Sequence, residues 1–402
     1  MEYFIRYRIT LMLVAFLLLG GRAAGGQVSF EMLETPGTSQ WADFSLSRDG
    51  QSMGCLLAGA VYWWTSEDGF RFLDPGITTQ GGVGMAADGG SLIAAKSGHG
   101  GALPAIWFRD GSSVDLGVMR GDCDMDQLSD GGFDINADGT VAVGQTASCT
   151  AEVAFVWTPA DGLQCLPVPP EADSRGMAVS GDGRIVVGFC EHPDQEFRRP
   201  ALWRQNDGPV LFLGPNRAGE AMNISLNGKF IVGQADLGGI SRQAYFWTEG
   251  AETVGMGNLS GRATDTSLAS AVSDDGKVVG WSGDPLWGEQ EAFIWTRKGG
   301  MLSLPDHLAA HGVKVPQGII LTSALDISGD GKTVVGICRD GDWNQQYWLI
   351  HLGDSLDSGP MAETKPWEPE PLDPLSPDTL DAFQADMLNP FPFGKRRYMP
   401  AP

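Results

Sequence analysis

Positive charge is scarce in this chain: 27 Lys and Arg stand against 50 Asp and Glu, a formal charge of −23 over 402 residues. Such a surface repels phosphate backbones, which argues against nucleic acid as a partner. Long apolar runs are absent beyond the first 25 residues; no later segment approaches the ~18 consecutive apolar residues of a spanning helix. Histidine (5) and cysteine (6) are few, so metal chemistry built on those side chains has little material. No Gly-x-Ser-x-Gly elbow in a strand–turn–helix context occurs, and no phosphate-binding Gly loop ending in Lys. Serine-hydrolase and nucleotide chemistry therefore find no support.

Glycine, by contrast, is abundant at 56 residues, about twice the usual share, so the chain turns often. With 42% hydrophobic and 19% charged residues, the composition is globular rather than disordered. Residues 1–25 read as an export signal: Arg6 and Arg8 open it, Leu11 to Gly20 forms the apolar stretch, and Ala23-Ala24-Gly25 supplies small residues for cleavage. Beyond Gly353, Pro366, Pro369, Pro371, Pro374 and Pro377 stand among acidic residues, the composition of an extended tail over 354–402 that buries no core. Asp378 to Leu388 has the pattern of a short helix, and Lys395-Arg396-Arg397 is a small basic cluster.

Between these ends one pattern recurs seven times. A short apolar strand ending in a small residue leads into Asp-Gly or Asn-Gly, at Asp49, Asp88, Asp138, Asp182, Asn227, Asp275 and Asp330, spaced 39 to 55 residues apart. A β-branched run follows, as in Ile185-Val186-Val187-Gly188, and then a Trp 15 to 21 residues beyond the turn: Trp64, Trp107, Trp157, Trp203, Trp247, Trp295 and Trp348. Each unit carries four strand signals. In the sixth these are Ala269 to Ser273, Lys277 to Gly280, Ala292 to Thr296 and Met301 to Leu304. Units of this size built of short strands and Gly turns predict propeller blades, whereas the rungs of a parallel β-helix are shorter. The last unit lacks a fourth strand and Gln27 to Leu33 is a strand without a unit, so the N-terminal strand is expected to complete the seventh blade. The expected fold is an all-β, seven-bladed β-propeller over residues 27–353.

Ala271-Val272-Ser273-Asp274-Asp275-Gly276-Lys277-Val278-Val279-Gly280 with Glu291-Ala292-Phe293-Ile294-Trp295-Thr296 resembles the bacterial extracellular repeats of the HAF type, as do Leu304 to Val313 and Ala324 to Gly331. The resemblance covers about residues 28–352. It implies an exported propeller-like protein and brings no catalytic residues with it. Trp63-Trp64 and Ile106-Trp107 depart from the Ala-Phe-x-Trp form, making the first two blades the least regular.

Four antiparallel strands put the short, alike turns on one face. The long, varied loops share the other: Lys96 to Pro104, Gly121 to Gly131, Cys190 to Pro200, Trp281 to Gln290, Asp306 to Ile320 and Cys338 to Gln345. Binding is expected on that face. Trp281 and Trp287 in the sixth unit and Trp343 in the seventh, beside Asp284, Glu289, Asp340 and Asp342, form a candidate patch for a sugar or a protein partner. Asp122, Asp124, Asp126 and Asp130 follow the first, third, fifth and ninth positions of a calcium loop. Gln127 replaces its Gly and Phe133 its bidentate Glu, and a solvated acidic loop is the competing reading. The Asp-Gly dipeptides themselves read as turn chemistry rather than calcium ligands. His307 and His311 share a helix face but lack a general-base Glu between them, which reads as a surface helix rather than zinc.

Cys123 and Cys149 are the preferred disulfide of an exported chain, with Cys55, Cys190 and Cys338 as free packing residues. Two glycosylation patterns begin at Asn223 and Asn258 and carry no weight beside a bacterial resemblance. On the innermost strands the matching positions hold Ser45, Gly84, Asp134, Ala178, Asn223, Ala271 and Asp326. Asp134 and Asp326 are expected to bond neighbouring blades; their alternative is glycan-cleaving chemistry from the channel. The expected function is an exported non-enzymatic scaffold, monomeric, that binds an extracellular protein or carbohydrate, with calcium as its one candidate ion; the alternative is an extracellular glycan-cleaving enzyme, a glycoside hydrolase or lyase, using channel or loop carboxylates.

Overall fold

The computed structural model describes residues 27–37, 42–75, 82–98, 101–117, 131–147, 151–170, 172–191, 197–205, 210–213, 218–239, 241–251, 253–284 and 289–353. The expected signal (1–25) and tail (354–402) lie outside them. Within them are seven four-stranded antiparallel sheets, each in simple sequence order except the last. The fourth blade is typical: Ser174–Val179, Ile185–Glu191, Arg198–Arg204 and Leu211–Phe212 run from the axis outward. The inner strands, Asp43–Leu46, Val83–Met85, Gly131–Ile135, Ser174–Val179, Gly219–Ile224, Thr266–Val272 and Ile320–Ile327, each adjoin the next, and the last adjoins the first. The chain is a seven-bladed β-propeller, and the two least regular units form full blades.

Closure follows the expected route. Ser29–Met32 pairs antiparallel with Gln345–His351, Ser29 opposite His351 and Met32 opposite Trp348, as the outermost strand of the seventh blade. The apolar core lies between blades. Ala271, Val279 and Ile294 of the sixth pack on Leu321, Val334 and Trp348 of the seventh. Phe44, Met53 and Leu57 of the first pack on Val335, Tyr347 and Leu349, so the terminal blades share an apolar core as internal neighbours do. Of the seven repeated indoles, Trp64, Trp107, Trp203, Trp295 and Trp348 are buried, while Trp157 and Trp247 lie against the core from its edge.

Two repeated motifs acquire physical reasons. In the turn, a buried serine hydroxyl donates to the Asp or Asn two residues on and accepts the N–H at the start of the second strand: Ser47 to Asp49 at 2.8 Å, with Ser52 N–H to Ser47 Oγ at 3.0 Å. Ser180, Ser225, Ser273 and Ser328 repeat the first of these bonds. The following Gly holds a left-handed backbone, +67° at Gly50, which the hairpin requires. The turn Asp is thus engaged within its own hairpin, in agreement with the structural reading of Asp-Gly. In the second strand, the Gly after Val-Val faces a bulge of the inner strand. A Cβ at Gly188 would lie 1.9 Å from the Arg175 carbonyl, and one at Gly336 2.2 Å from that of Ser323. The bulge between Gly176 and Ala178 pushes that carbonyl into the space a side chain would need.

The turns also bond blade to blade. Arg48 N–H donates to Ala87 O, Asp88 to Ala137, Ala137 to Gly181, Gly181 to Leu226, Asp274 to Gly329 and Asp330 back to Arg48, at 2.8 to 3.2 Å. The one remaining junction is closed by Asn227, whose N–H and Nδ2 donate to Asp274 Oδ1 and O at 2.7 and 2.8 Å. All seven junctions are linked in a ring. Leu226 reaches across it, since a Cβ at Gly329 would sit 2.5 Å from Leu226 Cδ1 and 3.1 Å from Arg48 Cγ. Arg48 pairs with Asp274 at 3.1 Å. Side chains of several blades thus crowd the turn end of the axial channel.

The bulge argument predicts a contrast between two glycines of the closing blade. Gly336→Ala, opposed by the Ser323 carbonyl and the Trp348 ring, should lose at least about 2 kcal/mol of stability. Gly341→Ala, whose Cβ meets nothing within 4 Å, should stay within about 0.5 kcal/mol of the parent. Thermal unfolding followed by circular dichroism measures both, and equal effects would refute the bulge account.

Candidate functional site

The channel carboxylates are structural. Asp326 Oδ2 accepts Leu46 N–H of the next blade at 2.7 Å and Oδ1 its own neighbour Ile327 N–H at 2.8 Å. Asp134 does the same for Val179 and Ile135, both at 2.8 Å, and Asp43 for Val83 and Phe44, both at 3.0 Å. Ser45 accepts Met85 N–H and Asn223 accepts Val272 N–H. The expected role of Asp134 and Asp326 therefore holds, and Asp43 joins them. Where the matching position is small, as at Gly84, the space is filled: a Cβ there would lie 2.5 Å from Asp134 Cα. Burial raises these carboxyls, to about 6 for Asp43, about 7 for Asp134 and about 8 for Asp326, against the opposing pull of the donated N–H groups. Asp326 also feels the charges of Asp134 and Asp43, so the three belong to one electrostatic system around the axis.

Of the aromatic patch, Trp343, Asp340 and Asp342 come together in one tight loop between Thr333–Arg339 and Gln345–His351. Asp340 organises it: Oδ1 accepts the N–H groups of Asp342 and Asn344, both at 2.9 Å, and Oδ2 accepts Asn344 Nδ2 at 3.0 Å. The Asn344 amide bonds hold the Asp340 carboxyl below its usual range. Trp343 N–H bonds back to Asp340 O at 3.0 Å, which locks Trp343 at φ +65° with the side chain 65% exposed. A Trp in the left-handed region carries roughly 1–3 kcal/mol of strain. The Arg339 guanidinium lies 5.3 Å from its ring centroid, and the exposed Asp342 carboxylate has no hydrogen-bond partner among the described residues.

Trp281 and Asp284 correct the expected loop. They lie on the second strand of blade six, Val278–Asp284, where Trp281 pairs with Leu268 and Ala292, and Asp284 with Glu289. The strand runs on past the Val-Val-Gly core because Glu289–Thr296 extends equally far to meet it. Trp281 is half-buried and makes no ring contact with Trp343. Trp287 lies outside the described residues, as do the calcium candidates Asp122, Asp124, Asp126 and Asp130 and the cysteines Cys123 and Cys149. Among the described residues no three His, Cys, Asp or Glu side chains are grouped to hold a metal. Cys55, Cys190 and Cys338 are buried free thiols, and Cys165 is free and exposed.

The expected fourth strand of blade six ends one residue early, and Leu304–Ala310 is a helix capped by Ser303, which accepts Asp306 N–H at 3.2 Å. His307 is not on its surface but buried, and burial together with His311 pulls its pKa down to about 4. His311 Nδ1 is 2.8 Å from the His307 carbonyl, so that nitrogen is already engaged.

On blades three to five the loop face holds a network that motif reading missed. Arg198 Nη1 donates to Glu220 Oε1 at 2.8 Å, with Glu191 Oε1 3.6 Å from its Nε. Arg175 Nε donates to Gln145 Oε1 at 2.5 Å. Both guanidiniums stack near Phe189, at 5.4 Å for Arg175 and 4.2 Å for Arg198, and Arg175 also lies 4.9 Å from the Phe133 centroid. The residues come from strand ends of three blades, a convergence that no local spacing reveals.

No family model matches the chain, and no curated protein matches it. Among solved structures, it is similar to the β-propeller domain of the trilobed protease of Pyrococcus furiosus, described with an open velcro topology, at 11% identity and a TM-score of 0.52 over 82% of this chain and 96% of that one. The acylaminoacyl peptidase of Pyrococcus horikoshii is similar at 11% identity and a TM-score of 0.51, over 77% of this chain and 51% of that one. TolB of Acinetobacter baumannii gives 12% identity and a TM-score of 0.41, over 57% of this chain and 65% of that one. At these identities the first two likenesses show the propeller fold alone. No helix among the described residues is long and apolar enough to cross a membrane.

The raised channel carboxyls set a pH dependence. Because their folded pKa values exceed the unfolded one of 3.8, the folded state retains protons that the unfolded state releases. That contribution is complete below the unfolded pKa and is lost as pH rises through about 6 to about 8. The melting temperature should therefore fall by a few degrees between about pH 5 and about pH 8.5. Asp326→Asn keeps one acceptor oxygen, starts lower, and should show a shallower fall. Calorimetric melting across that range decides, and a variant slope as steep as the parent's would overturn the assignment.

Proposed function

We propose that this chain is an exported, non-enzymatic binding scaffold of the HAF-repeat type, which takes an extracellular protein or carbohydrate on its loop face. The observation that carries this reading is Trp343, a large aromatic held exposed in a strained backbone by a dedicated Asp340 turn. Packing does not need such a residue, and Gly would sit there without strain. An indole beside the open Asp342 carboxylate and the Arg339 guanidinium supplies an apolar face with an acceptor and a donor, the complement of a sugar ring or of a polar protein epitope. The crowded turn end directs a ligand to the same face. The competing glycan-cleaving reading loses its channel carboxylates, because Asp43, Asp134 and Asp326 act in blade registry.

Trp343→Gly separates binding from folding. The variant should melt at or above the parent temperature, since relief of left-handed strain outweighs the roughly 0.5–1 kcal/mol entropic penalty of Gly. On a glycan array and in pull-downs with extracellular fractions, it should lose at least about tenfold in affinity for any ligand the parent retains. Retained binding in a fully folded variant would remove Trp343 from the site, and shortened glycan products from the parent would restore the enzyme reading.

A further inference from the structure

Of the large apolar side chains exposed among the described residues, Phe72, Val114, Leu211, Val254 and Leu302 stand singly on the fourth strands of five blades, and Phe108 lies at the turn end of the second blade. Scattered in this way they need no partner. The other two, Ile320 at 56% exposure and Trp343 at 65%, share the loop face of blade seven and are joined through Arg339. Ile320 opens the inner strand and pairs with Arg339 at the end of the second strand, so the two side chains are neighbours on one face of the sheet. The Arg339 guanidinium then lies 5.3 Å from the Trp343 ring centroid, and its apolar stem bridges isoleucine and indole.

We propose that Ile320, the Arg339 stem and Trp343 form one docking strip for a basic protein partner, which seats an apolar side chain against isoleucine and indole and brings a Lys or Arg to the Asp342 carboxylate. The proposal rests on the reading of Trp343 as a binding residue and decides between its two ligand classes. A sugar ring needs several fixed donors and acceptors around the indole. This loop has spent them on itself: the Asp340 oxygens accept the Asp342 and Asn344 N–H groups and the Asn344 amide, and Arg339 takes one face of the ring. What remains is apolar area beside the Asp342 carboxylate, which has no hydrogen-bond partner among the described residues. Trp and Arg clustered on an aliphatic neighbour are the composition of a protein hot spot. Charge then selects the partner. The chain carries −23, so a second copy is repelled, whereas a basic protein is attracted and steered to the surface.

The test selects a random short-peptide library, displayed on phage, against the full chain, with a glycan array run on the same protein. Selected peptides should carry Lys or Arg beside Leu, Ile, Phe or Trp. A synthetic copy titrated by calorimetry should bind about fivefold or more weakly to Ile320→Ser and about tenfold or more weakly to Trp343→Gly. Asp342→Asn should weaken it about threefold and flatten its salt dependence, while Val254→Ser, on the rim of blade five, should bind as the parent does. Ile320 is exposed, so its variant should keep the parent's melting temperature and report on binding alone. An affinity lost in Trp343→Gly but unaltered in Ile320→Ser, or sugar binding lost in Trp343→Gly with no peptide selected, would overturn the strip and leave Trp343 as a binding residue. Selected peptides without basic residues would overturn the basic partner. Binding unaltered in both variants would overturn the strip and the Trp343 reading together.

Discussion

The structure depends on the ring of hydrogen bonds that links the seven hairpin turns. A four-stranded blade cannot stand alone, because its faces are apolar and its backbone edges open. What fixes its position, at six of the seven junctions, is the N–H of one turn donating to the carbonyl of the next, as from Arg48 to Ala87 and from Asp330 back to Arg48; at the seventh Asn227 donates to Asp274. Those groups are near the axis, where an unmatched N–H would be costly. The ring closes only if every turn has the same shape, and the buried Ser bond to Asp, or to Asn in the fifth blade, imposes that shape locally in five of the blades. The fifth blade shows the tolerance of the device: Asn227 replaces Asp and uses its amide to reach Asp274 O, a donor that Asp lacks.

A second belt, on the inner strands, relies on side chains instead of backbone. Asp326, Asp43 with Ser45, Asp134 and Asn223 reach forward into blades one, two, four and six. At the alternate positions Gly84, Ala178 and Ala271 leave room for the neighbour's approach. Large and small residues therefore alternate around an odd-numbered ring, with the mismatch absorbed by the consecutive acceptors Asp326 and Asp43 at the junctions where the chain ends meet. Three carboxyls in one buried channel repel one another when ionised, which is why burial and mutual charge push Asp326 highest. The arrangement is tolerable because each oxygen has a backbone N–H to accept.

Much of this was legible in residue spacing. Asp-Gly pairs, Val-Val-Gly runs and the trailing Trp gave blade number, strand order and closure, because each is a local answer to a local constraint. The use of Asp134 and Asp326 was legible too, since a polar residue on an innermost strand has few partners but the next blade. Asp43 was not: it sits two residues before the matching position, at Ser45, and acts through the same neighbouring strand. Trp281 was misplaced because Gly280 looks like a strand end, whereas the hairpin continues to Asp284 and Glu289. The arginine network was invisible because Arg175 and Arg198 lie at strand ends of the fourth blade and draw their partners from three blades: Phe133 and Gln145 from the third, Phe189 and Glu191 from the fourth, and Glu220 from the fifth. Only the ring brings them together.

That ring also accounts for the placement of the proposed binding surface at the other end. A strained Trp343 backbone and the desolvation of Arg175 and Arg242 both subtract from stability, and a propeller whose blades were held only by apolar packing would feel each loss in its blade angle. Here registry is set at the turns and inner strands, far along each strand from the loop face, so a local loss at a loop stays local. The two features face the same side for the same reason. Turns that must all be alike to close a ring cannot vary, and loops that take no part in closing it can hold the irregular, destabilising chemistry that recognition needs.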